Sequence, residues 1–448
     1  MSSVDLVIRN ARVVTHIGEF DGGVAVKDGV IAAVGANDSL PKGKREIDAE
    51  GRYLMPGVID PHTHLGVNYG YDVDMDAETA GAASGGITTV LLYIRNTEGS
   101  YIPFYKDRSA RGEAVSHIDF GFHFGIQTEE HIHELPQVIA ETGVVSYKLY
   151  FGYEPGNPIG IIPATDGWVY AAMRELAKHK GGIVSVHCEN TAIASWLKNE
   201  FQATGRQDLP AYTESRPPFT EIETAKRMMY LSEITGCPLY IVHTSASGTC
   251  DVAEQERGRG VDVTVETCPH YLVRTAWDED LTMAAKVTPP LRDAEERDGL
   301  WKAIFDGKVR SIGSDHVVFL PKEGKDLWKE KSGFVSFPWE LALMLDEGVN
   351  KRGLPMSRLV ELTSYYPSRR FGLLNKGTLT PGADADLVMV DIDEERVVKH
   401  EGLGTSIYDG LKLKGWPVMT VSRGRVVYEN GQVDPDAKGH GKVVKAWQ

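Results

Sequence analysis

Between residues 55 and 374 short apolar runs alternate with longer polar stretches, and this alternation limits the folds open to the chain. Eight runs occur: PGVIDPHTH, GITTVLLYI, DFGFHFGI, VVSYKLYF, GGIVSVHCE, CPLYIVHTS, VDVTVETCPHYL and VRSIGSDHVV. Stretches with helical periodicity, such as GWVYAAMRELAKHK and EIETAKRMMYLSEIT, lie between them. Repeated strand–helix units of this kind predict an α/β fold whose strands are parallel.

Eight strand–helix units favour a closed (β/α)8 barrel of the TIM type over an open, doubly wound sheet. The open sheet predicts a glycine-rich phosphate loop after the first strand, whereas the first run here ends in DPHTH. We therefore predict that residues 55–377 form the barrel and that its functional groups lie at the carboxyl ends of the strands.

The two ends of the chain share a different sequence pattern. Residues 1–54 and 378–448 contain β-branched segments such as LVIRNARVVT and DADLVMVDI between glycine-containing turns. We predict that both ends come together as one small, composite β-sandwich domain beside the barrel.

Composition excludes several classes of function. The chain has 48 Lys+Arg against 63 Asp+Glu, a formal charge of −15, which argues against binding nucleic acid. No apolar run approaches the roughly 18 residues of a membrane helix, and the first residues lack a signal-peptide layout. Four cysteines in 448 residues do not make a disulfide framework. We expect a soluble, cytoplasmic protein that acts on a small molecule, not on nucleic acid or a membrane.

Five of the eight predicted strands carry residues that could bind a metal, near the strand end in every case except Lys148, which lies inside the run VVSYKLYF. These residues are His62, His64, Lys148, His187, His243 and Asp315. Any one of them alone is explained by packing or capping, and a strand lysine commonly extends its amine to the rim. Five strands that all deliver such groups to one rim are better explained by a metal site, since imidazole and carboxylate bind zinc and similar ions.

This ordered set resembles the motifs of the amidohydrolase superfamily. Within it the chain is similar to the cyclic amidohydrolases, which include dihydropyrimidinases, hydantoinases and allantoinases. The likeness extends over essentially the whole chain, through VHCEN, SRPPFTEIETA, VETCPHYL, TPPLR and GTLTPGADADLV. As a set these motifs are specific for the branch and much less specific for the substrate.

The resemblance implies a centre of two divalent metal ions, with zinc as the expected metal. The more buried ion would be held by His62, His64 and Asp315, and the more exposed one by His187 and His243.

The resemblance also implies that Lys148 is carbamylated and bridges both ions. Carbamylation turns a cationic amine, poorly tolerated beside two dications, into an anionic oxygen ligand. A hydroxide that bridges the metals would attack the substrate, and Asp315 would carry its proton to the leaving nitrogen.

The residues that contact the substrate in this family are matched only in part by this chain. Tyr153 follows the lysine by five residues, where hydantoinases and dihydropyrimidinases place a tyrosine that stabilises the oxyanion. Thr288 stands where a serine is usual and Ser332 where an asparagine is usual, both mainly as backbone contacts to the ring. Pro338 stands where a glutamate is common.

The leading interpretation is a metal-dependent hydrolase, of the dihydropyrimidinase or hydantoinase type, that opens a cyclic ureide or imide. Allantoinase is the nearest rival. A dihydroorotase needs an arginine where this chain has Gly66, and a deaminase usually lacks the strand lysine. A non-enzymatic dihydropyrimidinase-related assembly protein is disfavoured, because those have lost ligands that are intact here. The family also implies a homotetramer.

Overall fold

The computed structural model describes residues 4–319 and 325–447, whose strands form two sheets. The N-terminal strands are β1 (Val4–Thr15), β2 (Gly18–Lys27), β3 (Val30–Gly35), β4 (Gly43–Asp48) and β5 (Tyr53–Pro56). The central strands are β6 (Val58–His64), β7 (Ile87–Arg95), β8 (Asp119–Gly125), β9 (Ser146–Tyr150), β10 (Ile183–His187), β11 (Leu239–Ile241), β12 (Val263–Thr267), β13 (Ser311–Ile312) and β14 (His316–Val317). The C-terminal strands are β15 (Leu387–Val397), β16 (Lys412–Ser422), β17 (Arg425–Glu429) and β18 (Gln432–Val433).

Helices follow most of the central strands. The α-helices of the described residues are α1 (Tyr71–Ser84), α2 (Tyr101–Val115), α3 (Glu129–Thr142), α4 (Asp166–Leu176), α5 (Thr191–Ala203), α6 (Leu209–Glu214), α7 (Pro218–Thr235), α8 (Ser247–Gly258), α9 (Pro269–Val273), α10 (Ala294–Phe305), α11 (Glu340–Leu343), α12 (Met356–Val360) and α13 (Tyr366–Arg370). Two π-helical segments are Met344–Lys351 and Glu361–Tyr365. Within these described ranges, no helix is both long enough and apolar enough to pass through a bilayer.

The central strands form a closed parallel barrel, as predicted. They pair in the order β13-β12-β11-β10-β9-β8-β7-β6-β14. Because β13 and β14 are two pieces of one strand position, separated only by residues 313–315, their pairing with β12 and β6 closes the ring. The strand β7 is buried along nearly its whole length, which is typical of a parallel sheet covered on both faces.

Local sequence signals account for both ends of α3. At the start of α3 the side chain of Thr128 accepts a hydrogen bond from the backbone N–H of His131, and Gly143 ends the helix with φ 75°. Both are standard caps, since threonine satisfies a free N–H and glycine adopts the left-handed conformation without strain. These caps set where α3 begins and ends, and the chain then continues into β9.

Both ends of the chain form one mixed sheet beside the barrel. Its strands run β18-β17-β16-β15-β5-β1-β2-β3, with β4 added to β1. Ile31 of β3 and Met419 of β16 belong to the same buried cluster although many strands separate them in the sheet order. The sheet therefore folds over on itself as a sandwich, which confirms the predicted fold class. The predicted division into residues 1–54 with 378–448 and residues 55–377 stays a prediction.

A buried ion cluster joins the barrel to the terminal sheet. The ammonium of Lys376 lies 2.8 Å from Asp119 at the start of β8, 3.0 Å from Asp384 and 2.6 Å from Asp386 beside β15. Arg423 adds a second cation 3.0 Å from Asp119. Burial alone would lower the pKa of Lys376, but Asp386 and Asp119 outweigh it and raise that pKa above its ordinary value. The lysine therefore holds three carboxylates of two sheets together.

Lys376→Met should destabilise the protein strongly, because it leaves these carboxylates buried without their main counter-ion. Removing one partner of a buried ion pair typically costs ~3–5 kcal/mol, and urea unfolding followed by fluorescence measures it. Lys44→Met is the control, since Lys44 pairs with Asp5 on the surface and should leave the urea midpoint nearly unchanged. Equal midpoints for both variants would contradict this account of the junction.

Candidate metal centre

Two histidines and an aspartate meet at the carboxyl end of the barrel. His62 and His64 end β6, and Asp315 lies in the break between β13 and β14. The Nε2 atoms of both histidines lie 3.2 Å from Oδ1 of Asp315. Nδ1 of His62 contacts Glu266 at 2.6 Å and Nδ1 of His64 contacts the carbonyl of Tyr93 at 3.3 Å. Those contacts orient each ring so that Nε2 faces Asp315, as outer partners orient metal-binding histidines.

A second pair of histidines adjoins the first group. His187 is the last residue of β10, and His243 comes two residues after β11. Nδ1 of His187 lies 2.9 Å from Nε2 of His243. Nε2 of His187 lies 2.7 Å from Glu189, which also accepts from Arg216 at 2.8 Å. The rings of His62 and His243 are 5.2 Å apart. The two groups therefore form one continuous cluster.

Lys148 adds an amine to this cluster from the middle of β9. It is 1% exposed, and its Nζ has no hydrogen-bond partner among the described residues. Nζ lies 4.6 Å from the ring centre of Tyr93. Burial lowers the pKa of Lys148 to about 8, against the opposing effect of Glu266 and Asp315. An ammonium without an acceptor is costly in such a place, so this site favours a neutral or chemically modified amine.

The backbone is strained at two of these residues. His243 has φ 36° and Asp315 has φ 51°, values that residues other than glycine rarely adopt. Each is held by buried hydrogen bonds: the N–H of His243 donates to Glu266 at 2.8 Å, and that of Asp315 donates to the carbonyl of His62 at 2.9 Å. Strain of this kind persists where the surroundings fix it, and it concentrates at functional sites.

The protonation states suit a cation. Burial, reinforced by the charge of Lys148, lowers the pKa of His62 and of His243 well below the ordinary value, so both rings are neutral. Burial raises the pKa of Asp315, but His62 and His64 outweigh it, and the carboxylate stays ionised. Neutral imidazoles and an ionised carboxylate are the donor set of zinc and similar ions.

The arrangement thus fits a metal ion. Ligand atoms of His62, His64 and Asp315 all lie within 4.8 Å of one another. The described residues contain one other group of this kind, made of Asp119, Asp384 and Asp386, and the ammonium of Lys376 already lies among those carboxylates.

A cavity of about 540 Å³ adjoins the cluster. Of the nine predicted site residues, eight line it: His64, Lys148, Tyr153, His187, His243, Thr288, Asp315 and Ser332. His62 lies fully buried beside them. The structure therefore brings all nine predicted residues together.

The predicted substrate residues form the wall of this cavity. The ring of Tyr153 lies 4.9 Å from that of His187, and its hydroxyl makes no hydrogen bond among the described residues. Thr288 donates to Ser332 at 2.7 Å, and Tyr212 contacts the Thr288 hydroxyl at 2.5 Å. Pro338, in contrast, does not line this cavity, and its side chain lies near Gly81.

The sequence pattern does not single out three charged residues that support the cluster. Glu189 and Arg216 position His187, and Glu266 positions His62 and His243. All three lie inside the conspicuous segments VHCEN, SRPPFTEIETA and VETCPHYL. A buried charge inside a motif next to a ligand is the signal that could identify them.

The comparisons with known proteins cover the whole molecule. The sequence profile of the amidohydrolase family matches residues 53–427. The D-hydantoinase of Geobacillus stearothermophilus is 33% identical over 98% of this chain and 96% of its own. The allantoinase of Rubrobacter xylanophilus is 36% identical over 97% of this chain and 96% of its own. The structure of the L-hydantoinase (dihydropyrimidinase) from Arthrobacter aurescens superposes with a TM-score of 0.90 at 31% identity, covering 99% of this chain and all 100% of that one.

Proposed function

The chain belongs to the amidohydrolase family, and from that premise we propose that it hydrolyses an amide bond of a cyclic ureide or imide and so opens the ring. The observation that carries the proposal is the cluster of imidazoles, carboxylate and buried amine at the wall of a small cavity. Relatives named hydantoinase and allantoinase match over nearly the full chain, which supports a cyclic amide as the substrate.

We further propose that the cluster holds two divalent ions, most simply zinc. One is assigned to His62, His64 and Asp315, whose ligand atoms converge, and the other to His187 and His243, whose ring nitrogens face each other at 2.9 Å. Bound there, the ions supply Lewis acidity and make water a nucleophile at neutral pH.

Lys148 is assigned the place between the two ions, as a carbamate. Its amine bonds to the carbon of carbon dioxide and loses a proton, so that a neutral group becomes an anionic carboxylate. The support is that Nζ is buried without a hydrogen-bond partner among the described residues, while burial lowers its pKa to about 8 and so favours the reactive neutral amine.

The side chains of the cavity divide the remaining tasks. Asp315, ionised and 12% exposed on its side chain, accepts a proton from the attacking water and delivers it to the ring nitrogen that leaves. The hydroxyl of Tyr153, which has no hydrogen-bond partner among the described residues, donates to the carbonyl oxygen as negative charge develops on it. Thr288 and Ser332, bound to each other at 2.7 Å, form the wall against which the ring lies.

Allantoinase is the second candidate, since one relative of that name is 36% identical. A turnover screen with the metal-loaded protein separates the candidates. Its substrates are dihydrouracil, hydantoin, 5-substituted hydantoins, allantoin and succinimide. Preference for allantoin would favour the second candidate, and failure to open any ring would contradict both. Metal content of the purified protein tests the non-enzymatic alternative.

A homotetramer and a cytoplasmic location stay predictions, which light scattering and fractionation can test.

Lys148→Ala should lose metal and activity together, because the bridging ligand is removed. Added short carboxylic acids should restore part of the turnover, since a carboxylate can occupy the space of the carbamate. Metal analysis and kcat on the best substrate measure both effects. Lys286→Met is the matched control: that buried lysine binds the carbonyls of Leu327 and Glu330, and its loss should leave the metal content intact. Two metals and full activity in Lys148→Ala would rule out the bridge.

Asp315→Asn should keep the fold and at least one metal while kcat falls by ~10²–10⁴, the usual range for general acid–base catalysis. The amide retains the size of the carboxylate but accepts no proton at neutral pH. Asp166→Asn, which alters an exposed carboxylate paired with Arg227, controls for unspecific loss. A near-normal kcat in Asp315→Asn would mean that the proton moves by another route.

Tyr153→Phe should lower kcat by at least ~10² with unchanged metal content, because loss of one oxyanion donor typically costs ~10²–10³ in rate. The phenyl ring keeps the packing against His187, so the change isolates the hydroxyl. Tyr147→Phe serves as the control from the same strand region, since that ring packs near Phe124 in the core. A loss below threefold in Tyr153→Phe would leave the tyrosine only a wall residue.

A further inference from the structure

The catalytic cavity continues outward into a larger region of about 940 Å³. The two regions share four wall residues: Val67, Arg95, Ile159 and Phe319. An exocyclic substituent of a ring that lies in the inner region can therefore extend past these four residues into the outer region.

Arg95 is the polar member of the shared wall. It ends β7, and one guanidinium nitrogen donates to the carbonyl of Ile159 at 3.0 Å. Within the described ranges, no carboxylate lies within ion-pair distance of it. A guanidinium has five N–H donors and no acceptor, so most of its donors remain available to a ligand.

Two more cations line the outer region. The guanidinium of Arg108 stacks 4.7 Å from the ring centre of Tyr71 and 4.9 Å from that of Phe104. The ammonium of Lys331 donates to Asn68 at 3.0 Å. Neutral groups thus position both charges, and the nearest carboxylate to Arg108 is the exposed Asp107 at 3.9 Å.

This concentration of positive charge contrasts with the whole chain, whose formal charge is −15. Three cations and neither aspartate nor glutamate line the described part of the outer region. Clefts lined by one sign of charge raise the local concentration of ligands with the opposite sign. The outer region is therefore suited to an anion.

We propose that the preferred substrate is a cyclic ureide or imide whose exocyclic substituent ends in a carboxylate, which Arg95 binds while Arg108 and Lys331 attract it into the cavity. The inference rests on the proposed function, because it places the ring at the metal cluster. Arg95 suits this role because a guanidinium matches the two oxygens of a carboxylate with paired hydrogen bonds.

A pair of substrates that differ only in charge tests the proposal: 5-(2-carboxyethyl)hydantoin and 5-(2-carbamoylethyl)hydantoin. The measured quantity is the ratio of their kcat/KM values in the metal-loaded protein. We expect the carboxylate to be favoured in the unaltered protein and the ratio to fall ~10–100-fold in Arg95→Met, the range expected for losing charge-assisted hydrogen bonds. Arg95→Lys should recover part of the ratio, since lysine restores the positive charge but not the paired N–H donors of the guanidinium.

Arg174→Met is the control, because Arg174 lies on α4 over the exposed ring of Tyr170; its ratio should equal that of the unaltered protein. Raised salt should also lower kcat/KM for the carboxylate more than for the amide. Equal rates for the two hydantoins, or an unchanged ratio in Arg95→Met, would overturn the inference while leaving ring opening established. If the protein opens neither these two hydantoins nor any other ring of the turnover screen, allantoin and succinimide included, the proposed function itself fails.

Discussion

One buried carboxylate, that of Glu266 on β12, connects the parts of the candidate centre. Its Oε1 contacts Nδ1 of His62 at 2.6 Å and accepts from the backbone N–H of His243 at 2.8 Å, and its Oε2 accepts from Tyr240 at 2.8 Å. These contacts tie β12 to β6 and β11, so the two histidines of different groups are fixed to a single side chain. Burial raises the pKa of Glu266 to about 7, and such a group is tolerated only when it is fully hydrogen-bonded.

Close packing around Glu266 also explains why the last barrel strand is interrupted. A Cβ at Gly313 would lie 2.8 Å from the Glu266 carboxyl group and 2.9 Å from His62. Only glycine lets the chain pass this close, and the strand then turns through Ser314, whose N–H donates to Asp60 at 3.1 Å. Asp315 follows in its left-handed conformation. The interruption that divides the strand is thus what aims Asp315 at His62 and His64.

The barrel and the side chains of the candidate centre are predictable because both depend on local regularities. Apolar runs recur at strand spacing, and residues near the ends of parallel strands meet at one rim, so His62, His64 and His187 could be placed from sequence order alone, and Lys148 from its position inside such a run. The supporting charges escape that reasoning, since their partners lie far away in sequence: Glu266 lies 204 residues from His62. The sequence does not single out Arg95 either, because its place at the cavity depends on which loops enclose that cavity.

Charge compensation distinguishes the arginines around the cavity. Burial raises the pKa of Glu189, but the charge of Arg216, 2.8 Å away, and the contact with His187 outweigh it and lower that pKa to about 2. The charge of Arg216 is therefore neutralised within the protein, and Glu189 in turn positions His187. Arg95 has only the neutral carbonyl of Ile159 among its described polar contacts. A half-buried guanidinium without a counter-ion favours any anion that reaches it. Two kinds of arginine thus lie around one cavity: Arg216 is compensated and holds His187 in place, whereas Arg95 is uncompensated among the described residues, which is the basis for proposing that a substrate substituent supplies the missing charge.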